Sequence, residues 1–413
     1  MFCYQCEQTS RGKGCSTFSV CGKDESSACL QDLLIHASKG IAQYAHRARA
    51  LGARDASVDR FIVKALFITV TNVNFDADAI AAAVREAAQV RDTAKALYEA
   101  AARKAGRTPE TLDGPATWAP APTLVGLVEQ GRTVSILSRT NEYGPDLTGL
   151  QELLVYGLKG AAAYADHAQI LGQESEIVYA FFAEALCRLA EEPPTADQLL
   201  ALCLKCGEVN LKVMEILDTA HTSTYGHPVP TPVRVEPLKG KAILVSGHDL
   251  KDLELLLQQT EGKGINVYTH GEMLPAHGYP KLKKYKHLAG NFGGAWQDQR
   301  DEFRAFPGAI LMTTNCLQEP QAVAVGAGPC RHAGLRNHGA GQHRELSAQR
   351  PRAGDFGLRS GFRRAAVWIQ SRTHGRVRAG AAQGECVLCG KEQAARLCRM
   401  SDFCGFPRNA RRP

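Results

Sequence analysis

With 413 residues, 44% of them hydrophobic, and a formal net charge of +7, the chain is long enough for two or three domains with buried cores. It has no run of about 18 apolar residues that could span a membrane, and no basic start with an apolar stretch of the secretory kind, so we expect a cytoplasmic protein. In a reducing cytosol, the 14 cysteines are expected to be metal ligands or buried side chains.

The first predicted element is a cysteine loop. The opening segment MFCYQCEQTSRGKGCSTFSVCGK places four cysteines in the pattern C-x2-C-x8-C-x5-C. Thiolates bind soft metals, and the nearby glycines leave the backbone free to gather the four sulfurs. Zinc and an iron–sulfur cluster both accept four cysteines, so the spacing alone leaves the metal open. Residues 1–28 are therefore predicted to be a metal-binding loop, and Cys29 lies outside it. The four cysteines are Cys3, Cys6, Cys15 and Cys21.

A repeat predicts a duplicated helical region. Segment 30–52 returns as segment 150–172 with 12 of 23 positions identical, and apolar residues recur at helical spacing in both copies. Each copy ends in Gly, which is typical of helix ends. We therefore predict a domain of duplicated helical bundles over residues 29–225. Its further helical segments are predicted at 58–102, 174–192 and 196–219.

The pattern changes after a Pro-rich passage at 226–237. Short apolar runs in KAILVSGHD, INVYTHGE and AILMTTNC predict three strands. A helical segment at 250–259 separates the first two, and a longer crossover leads to the third. This order predicts a partial Rossmann-like α/β domain with a parallel sheet over residues 226–320, so the predicted fold class is α plus α/β in several domains.

Three potential metal ligands follow these strands. His248, Glu272 and Cys316 each come just after the carboxyl end of a predicted strand, and in an open parallel sheet that edge is where ligands bind. An imidazole, a carboxylate and a thiolate form a mixed set of donors that suits iron. Any one of them alone is more simply a polar loop residue, but three in succession favour a metal site.

Together these segments resemble the hybrid cluster proteins, a family also called prismane proteins or hydroxylamine reductases. The resemblance covers residues 1–320. It implies a 4Fe-4S cubane on the four opening cysteines, and it makes His248, Glu272 and Cys316 the first three ligands of a hybrid iron–sulfur–oxygen (4Fe-2S-2O) cluster. It also implies two helical bundles followed by Rossmann-like domains. The segments that carry it are MFCYQCEQT, LQDLLIHASKGIAQYA, SGHDL, THGEMLPAHGYP, HLAGNFGGAWQDQ and TTNCLQ.

The activity that the resemblance implies is two-electron reduction of hydroxylamine to ammonia and water, with nitric oxide reduction as an alternative role of the same cluster. An open iron position would bind this small substrate, and a redox partner would deliver electrons singly through the cubane. Glu272, a carboxylate that can loosen from iron, is the candidate catalytic residue.

The last part of the sequence departs from the family. Residues 321–413 contain 16 Arg, one Lys and five acidic residues with little apolar periodicity, which predicts an irregular or disordered tail. Segments with the family's further three Cys and one Glu ligands are absent. The abrupt loss of the pattern after NCLQEP favours a shifted reading frame near residue 320, which translation of the nucleotide sequence in the other frames would reveal.

Four late cysteines repeat the opening spacing, which we interpret as coincidence because their flanks share nothing else: Cys386, Cys389, Cys398 and Cys404.

Two other classes of protein share some of these sequence features. A carbon monoxide dehydrogenase-like enzyme shares the expected fold but requires nickel and lacks this opening cysteine segment. A nucleic-acid binder could use the Arg-rich tail, with strong salt dependence, but the tail's aromatic residues are widely scattered. Nucleic acid and membranes are therefore not expected as partners.

Overall fold

The computed structural model describes residues 1–70, 73–191 and 195–319, together with two short strands, β5 (His343–Arg344) and β6 (Ile369–Gln370), that pair in antiparallel fashion. The chain divides into two compact units, Met1–Ala220 and a second that begins at His221. The predicted disordered tail, apart from those two strands, and the four late cysteines lie outside the described residues.

The first unit is helical. Its elements begin and end as follows: α1 Glu25–Ala50, α2 Ala56–Ile68, α3 Ala77–Lys104, α4 Leu124–Thr133, α5 Ile136–Tyr143, α6 Pro145–Ile170, α7 Glu176–Arg188 and α8 Ala196–Tyr225, with short 3₁₀ turns at Ser10–Gly12 and Gly114–Ala116. Among the described residues, none of the helices has the length and apolar content needed to cross a membrane.

Polar caps define where these helices begin. The side chains of Asp24, Asp55 and Asp76 each accept hydrogen bonds from backbone N–H groups in the first turn of the helix that follows, which satisfies donors that have no partner inside a helix. The predicted helix over 58–102 is therefore two helices, because α2 ends at Ile68 and Asp76 starts α3.

One apolar core runs through the helical unit. Leu30, Leu33, Leu34 and Ile41 on α1 are fully buried there, as is Leu154 on α6. These residues belong to the apolar stripe that predicted helices in both repeat copies. Helices α1 and α6 have the same length, 26 residues, and each is followed by a helix of 13 residues.

The second unit contains a four-stranded parallel sheet. Its strands are β1 Lys241–Ser246, β2 Ile265–His270, β3 Leu288–Asn291 and β4 Ala309–Met312, in the order β3-β2-β1-β4. The helices between them are α9 Leu250–Thr260, α10 Pro280–Lys283 and α11 Gln299–Ala305, with 3₁₀ turns at Gly271–Gly278 and Trp296–Asp298.

The sheet confirms the predicted parallel arrangement and the three predicted strands. The sequence analysis missed β3, which is a four-residue edge strand whose register shifts opposite Val267 and Tyr268. The strand order reverses at β1, because β2 lies on one side of it and β4 on the other. Ligands bind at such a reversal in open α/β sheets.

Candidate metal centres

The opening cysteine loop is held by a short backbone pairing. Cys3 and Cys15 face each other in an isolated antiparallel bridge, with N···O distances of 3.0 and 2.7 Å. The Thr9 hydroxyl donates to the Cys3 carbonyl at 3.1 Å and lies 3.7 Å from the Cys15 sulfur. Gly14, at φ +145°, leaves the space that the Phe2 ring fills. These contacts bring the first and third cysteines of the motif together.

The four thiols of this loop interact with one another. Cys15 and Cys21 are buried, whereas Cys3 and Cys6 are partly exposed, and none of the four forms a disulfide. Burial raises the pKa of the Cys6 thiol, and the nearby sulfurs of Cys21, Cys3 and Cys15 raise it further. The structure therefore gathers the four cysteines that the spacing singled out.

Hydrogen-bond donors surround the Cys15 sulfur. Burial raises the pKa of this thiol, but the backbone amides of Val20 and Ser10, the Thr9 hydroxyl and the Lys23 charge together lower it below its usual value. Lys23 is buried and donates to Gln31 Oε1 on α1 at 2.8 Å. The sequence analysis missed both Thr9 and Lys23, whose only signal was their position between the cysteines and helix α1.

Two tyrosines connect the loop to helix α6. The Tyr4 hydroxyl donates a hydrogen bond to Glu152 Oε2 at 3.2 Å, and the Tyr156 hydroxyl donates one to the backbone carbonyl of Gln5 at 3.0 Å. Cys29 lies on α1 in the apolar core, as expected for a cysteine outside the loop.

At the sheet edge, the structure brings His248 and Cys316 each within electrostatic reach of Glu272. His248 follows β1, Glu272 follows β2 and Cys316 follows β4. Burial lowers the pKa of His248, and the Glu272 carboxylate and a hydrogen bond with the Asn315 backbone oppose this effect. Burial and the same carboxylate raise the pKa of the Cys316 thiol to about 12. Glu272 itself is exposed, while the other two side chains are partly buried.

One ring nitrogen of His248 is of particular interest. Within the part of the chain that the structure describes, His248 Nδ1 is buried and has no hydrogen-bond partner. The adjoining backbone is held firmly, since the His248 amide donates to Thr314 Oγ1 at 2.7 Å. A neutral ring nitrogen with no protein partner has the electronic character of a metal ligand.

Two residues that the sequence analysis missed, Gly247 and Gln299, position this edge. A Cβ on Gly247 would meet Thr313 Oγ1 and lie 2.6 Å from the Thr314 nitrogen, so only Gly allows the loops after β1 and β4 to approach. The buried Gln299 side chain donates to the Cys316 carbonyl at 2.6 Å and accepts from the Gln318 amide at 2.9 Å. Cys316 has a positive φ of 62°, which is uncommon for a residue with a Cβ.

In the described ranges, no three His, Cys, Asp or Glu side chains are grouped so that they could hold a metal ion. The cubane that the resemblance implies has a different requirement, because its four cysteine thiolates are spread around a cluster of several irons.

Comparison with known proteins places the chain in a family. The model of the Prismane/CO dehydrogenase family matches residues 1–326. The chain belongs to the Prismane/CO dehydrogenase family. The expected resemblance is confirmed over almost the same residues, and proteins of this family carry iron–sulfur clusters, the hybrid cluster among them.

Several curated relatives in the Prismane/CO dehydrogenase family are named hydroxylamine reductase. The protein from Rhodospirillum rubrum is 58% identical over 322 residues, which are 78% of this chain and 59% of that protein. The protein from Acidiphilium cryptum is 53% identical over 346 residues, which are 82% of this chain and 62% of that protein. The chain thus spans less than two thirds of the length of these relatives.

A solved structure also matches. A nickel-free crystal structure of carbon monoxide dehydrogenase from Thermococcus sp. AM4 shares 14% sequence identity and has a TM-score of 0.27, with 76% of this chain and 46% of that chain covered.

Proposed function

We propose that the chain is a hydroxylamine reductase in which the cysteine loop accepts electrons and the sheet edge supplies hybrid-cluster ligands. The proposal rests mainly on the arrangement of residues at the sheet edge. Glu272 acts on both His248 and Cys316, and His248 Nδ1 is buried with no hydrogen-bond partner among the described residues. A buried polar atom without a partner is costly, and a metal bond removes that cost. The relatives named hydroxylamine reductase supply the choice of substrate.

The cysteine loop fits a 4Fe-4S cluster by its donor chemistry. Cys3, Cys6, Cys15 and Cys21 would hold it, and the bound cluster would supply one-electron transfer. Metal ligands must be thiolates, and the amide donors and the Lys23 charge that lower the pKa of Cys15 favour that form. Hydrogen bonds to the sulfurs also help to set the potential of such a cluster.

The reaction consumes two electrons and two protons, breaks the N–O bond of hydroxylamine and releases ammonia and water. A cluster bound at the sheet edge would supply Lewis-acid and redox chemistry there. Gln299 and Thr314 hold the Cys316 and His248 backbones in place. Glu272 is the exposed member of the set, so we assign it the adjustable role: its carboxylate can change position as the small substrate enters.

The finer architecture belongs to the same proposal. We assign residues 1–28 to the cluster loop, 29–225 to duplicated bundles and 226–320 to a partial Rossmann-like domain. The equal lengths of α1 and α6, which carry the two repeat copies, support the duplication. The partners would be hydroxylamine and a redox donor. The carbon monoxide dehydrogenase-like and nucleic-acid-binding alternatives are not favoured, because relatives with more than half of their aligned residues identical are named hydroxylamine reductase.

Replacing Glu272 with Gln tests the role of the carboxylate. The full chain is loaded anaerobically with iron and sulfide, reduced by a one-electron dye and given hydroxylamine, and the ammonia formed is measured. We expect two dye equivalents oxidised per ammonia in the parent chain. In Glu272→Gln we expect turnover to fall by about 10- to 100-fold, the cost typical of losing a group that supports a metal site, with unchanged cubane iron.

Glu261→Gln is the matched control, because Glu261 is an exposed carboxylate just after α9 in the same unit. It should leave turnover unchanged. Undiminished turnover in Glu272→Gln at normal iron content would remove the assigned role of Glu272. A loaded parent chain that leaves hydroxylamine intact would remove the proposed activity.

A further inference from the structure

The helical unit contains a polar cavity that the proposed reaction does not use. Its volume is about 200 Å³, and its walls come mainly from α1, α5 and α6. Exposed residues Thr133 and Glu142 belong to its lining, so solvent can reach it. The charged or titratable side chains of its inner wall are Asp32, His36, Lys39, Arg139, Glu152 and Lys159.

The repeat builds this cavity from both of its copies. Lys39 and Lys159 occupy equivalent positions of the two copies, and so do Asp32 and Glu152. Each copy therefore contributes one ammonium group and one carboxylate to the same cavity.

Two lysine side chains of the inner wall are buried. Lys39 is 7% exposed and Lys159 is 6% exposed. Across the described residues, neither side chain forms a hydrogen bond or an ion pair with another protein group. A buried charge is unfavourable unless an opposite charge or hydrogen-bond acceptors compensate it. Burial accordingly lowers the pKa of both lysines, that of Lys39 to about 7.

The inner wall carries an excess of positive charge. Arg139 forms an ion pair with Glu152, which also accepts a hydrogen bond from the Tyr4 hydroxyl. Burial keeps His36 neutral by lowering its pKa to about 4. Glu152 and Asp32 both act on the two lysines, and burial raises the pKa of Asp32 to about 7. At the rim, Glu191 is held by Arg47 and Arg188, and Glu142 is exposed.

We infer that this cavity binds a small monoanion of the carboxylate or oxyanion class at its buried ammonium groups, those of Lys39 and Lys159. The inner wall has three basic side chains, Lys39, Arg139 and Lys159, against the Glu152 carboxylate and an Asp32 whose raised pKa reduces its charge, so a bound anion offsets the excess. An ammonium group donates charge-assisted hydrogen bonds to the oxygens of such an anion, and bonds of this kind are the strong ones. A water takes about 30 Å³ of liquid volume, so the cavity has room for an anion of three or four heavy atoms with several waters.

Formate is the probe that tests this site. Isothermal titration of the full chain in chloride-free buffer at pH 6.5 should show saturable binding of one formate per chain. Lys39→Met and Lys159→Met should each weaken the affinity about 10- to 100-fold, because each removes a charge-assisted hydrogen bond. Lys205→Met is the matched control: Lys205 pairs with Glu184 on the surface of the same unit, and its loss should leave the affinity unchanged.

Asp32→Asn should not weaken binding, because burial raises the pKa of Asp32 to about 7 and the variant removes only the partial negative charge that competes with the anion; formate should bind at least as tightly as in the parent chain. Melting curves of each variant show whether it is folded, and Asp32→Asn gives a result that loss of structure cannot imitate. Saturable formate binding that is unchanged in both lysine variants, or no saturable binding by the parent chain, would overturn the inference.

Discussion

Gln299 connects the sheet to the loop that carries Cys316. Its buried amide bonds the Cys316 carbonyl and the Gln318 nitrogen, and its Nε2 also lies 3.4 Å from Ser246 Oγ at the end of β1. Beside it, Ser246 Oγ lies 3.2 Å from His270 Nδ1, and Glu302 lies 2.7 Å from the other ring nitrogen. This buried network fixes the backbone beneath the candidate ligands.

Lys39 permits a prediction about stability and pH. Burial holds its folded-state pKa at about 7, below the ordinary 10.5, while Arg139 lowers it further and Glu152 and Asp32 oppose the shift. The folded protein thus binds this proton less tightly than the unfolded chain does. The resulting loss of stability is complete below pH 7 and disappears as the pH rises toward 10.5.

Lys39→Met should therefore raise the free energy of unfolding at pH 6.5 by about 1 to 4 kcal/mol, the range seen when buried charges become apolar. The gain should shrink at pH 9.5. Thermal melts followed by circular dichroism at both pH values measure it, with Lys205→Met as the exposed control. A variant that melts no higher than the parent at pH 6.5 would contradict this account of Lys39.

Helices α1 and α6 show that equivalent positions of a repeat can have different surroundings. Gly40 and Gly160 are identical in the two copies. A Cβ on Gly40 would collide with the Pro115 carbonyl oxygen and lie 2.6 Å from its carbon, whereas a Cβ on Gly160 would meet no atom within 4 Å. The 3₁₀ turn Gly114–Ala116 packs against the first copy at this point.

Matched substitutions test this difference. Gly40→Ala should lower the free energy of unfolding by about 1 to 3 kcal/mol, the usual cost of overpacking. Gly160→Ala should raise it by about 0.5 to 1 kcal/mol, because Ala is the better helix former at an exposed site. Equal shifts of the melting temperature in the two variants would show that Gly40 has no special packing role.

Among the helices and strands, hydrophobic periodicity predicted those that bury one regular face or lie wholly in the core. The β1 and β4 strands have nearly continuous apolar runs because both sides are covered, and the α1 and α6 stripes repeat every third or fourth residue. Strand β3 escaped prediction because LAGN is short and contains Gly. The break between α2 and α3 was not predicted, because the Asp76 side chain starts α3 by capping its first turn, and a cap leaves no mark in the hydrophobic periodicity.

For the whole molecule, sequence reasoning located the candidate ligands but not their supports. The cysteine spacing indicated the opening loop, and the polar residues after the strands indicated the sheet edge. Both could be found because the residue types that bind metals are recognisable in a sequence. Gln299 and Gly247 act through contacts with residues distant in sequence, which no local pattern encodes. The cavity was missed for the same reason, since its charges come from two copies of the repeat.

The central claim is that the opening cysteines hold a 4Fe-4S cluster. Its most direct test is the iron and acid-labile sulfide content of the full chain after anaerobic loading, compared between Cys21→Ala and Cys29→Ala. The first removes a proposed ligand, and the second removes a buried core thiol from the adjoining helix.

We predict that Cys21→Ala lacks about four irons and about four sulfides that the parent chain and Cys29→Ala retain, with loss of the electron paramagnetic resonance signal of the reduced cubane. A Cys21→Ala chain with the iron and sulfide content of the parent, or a parent chain whose opening cysteines bind one zinc and no sulfide, would contradict the account.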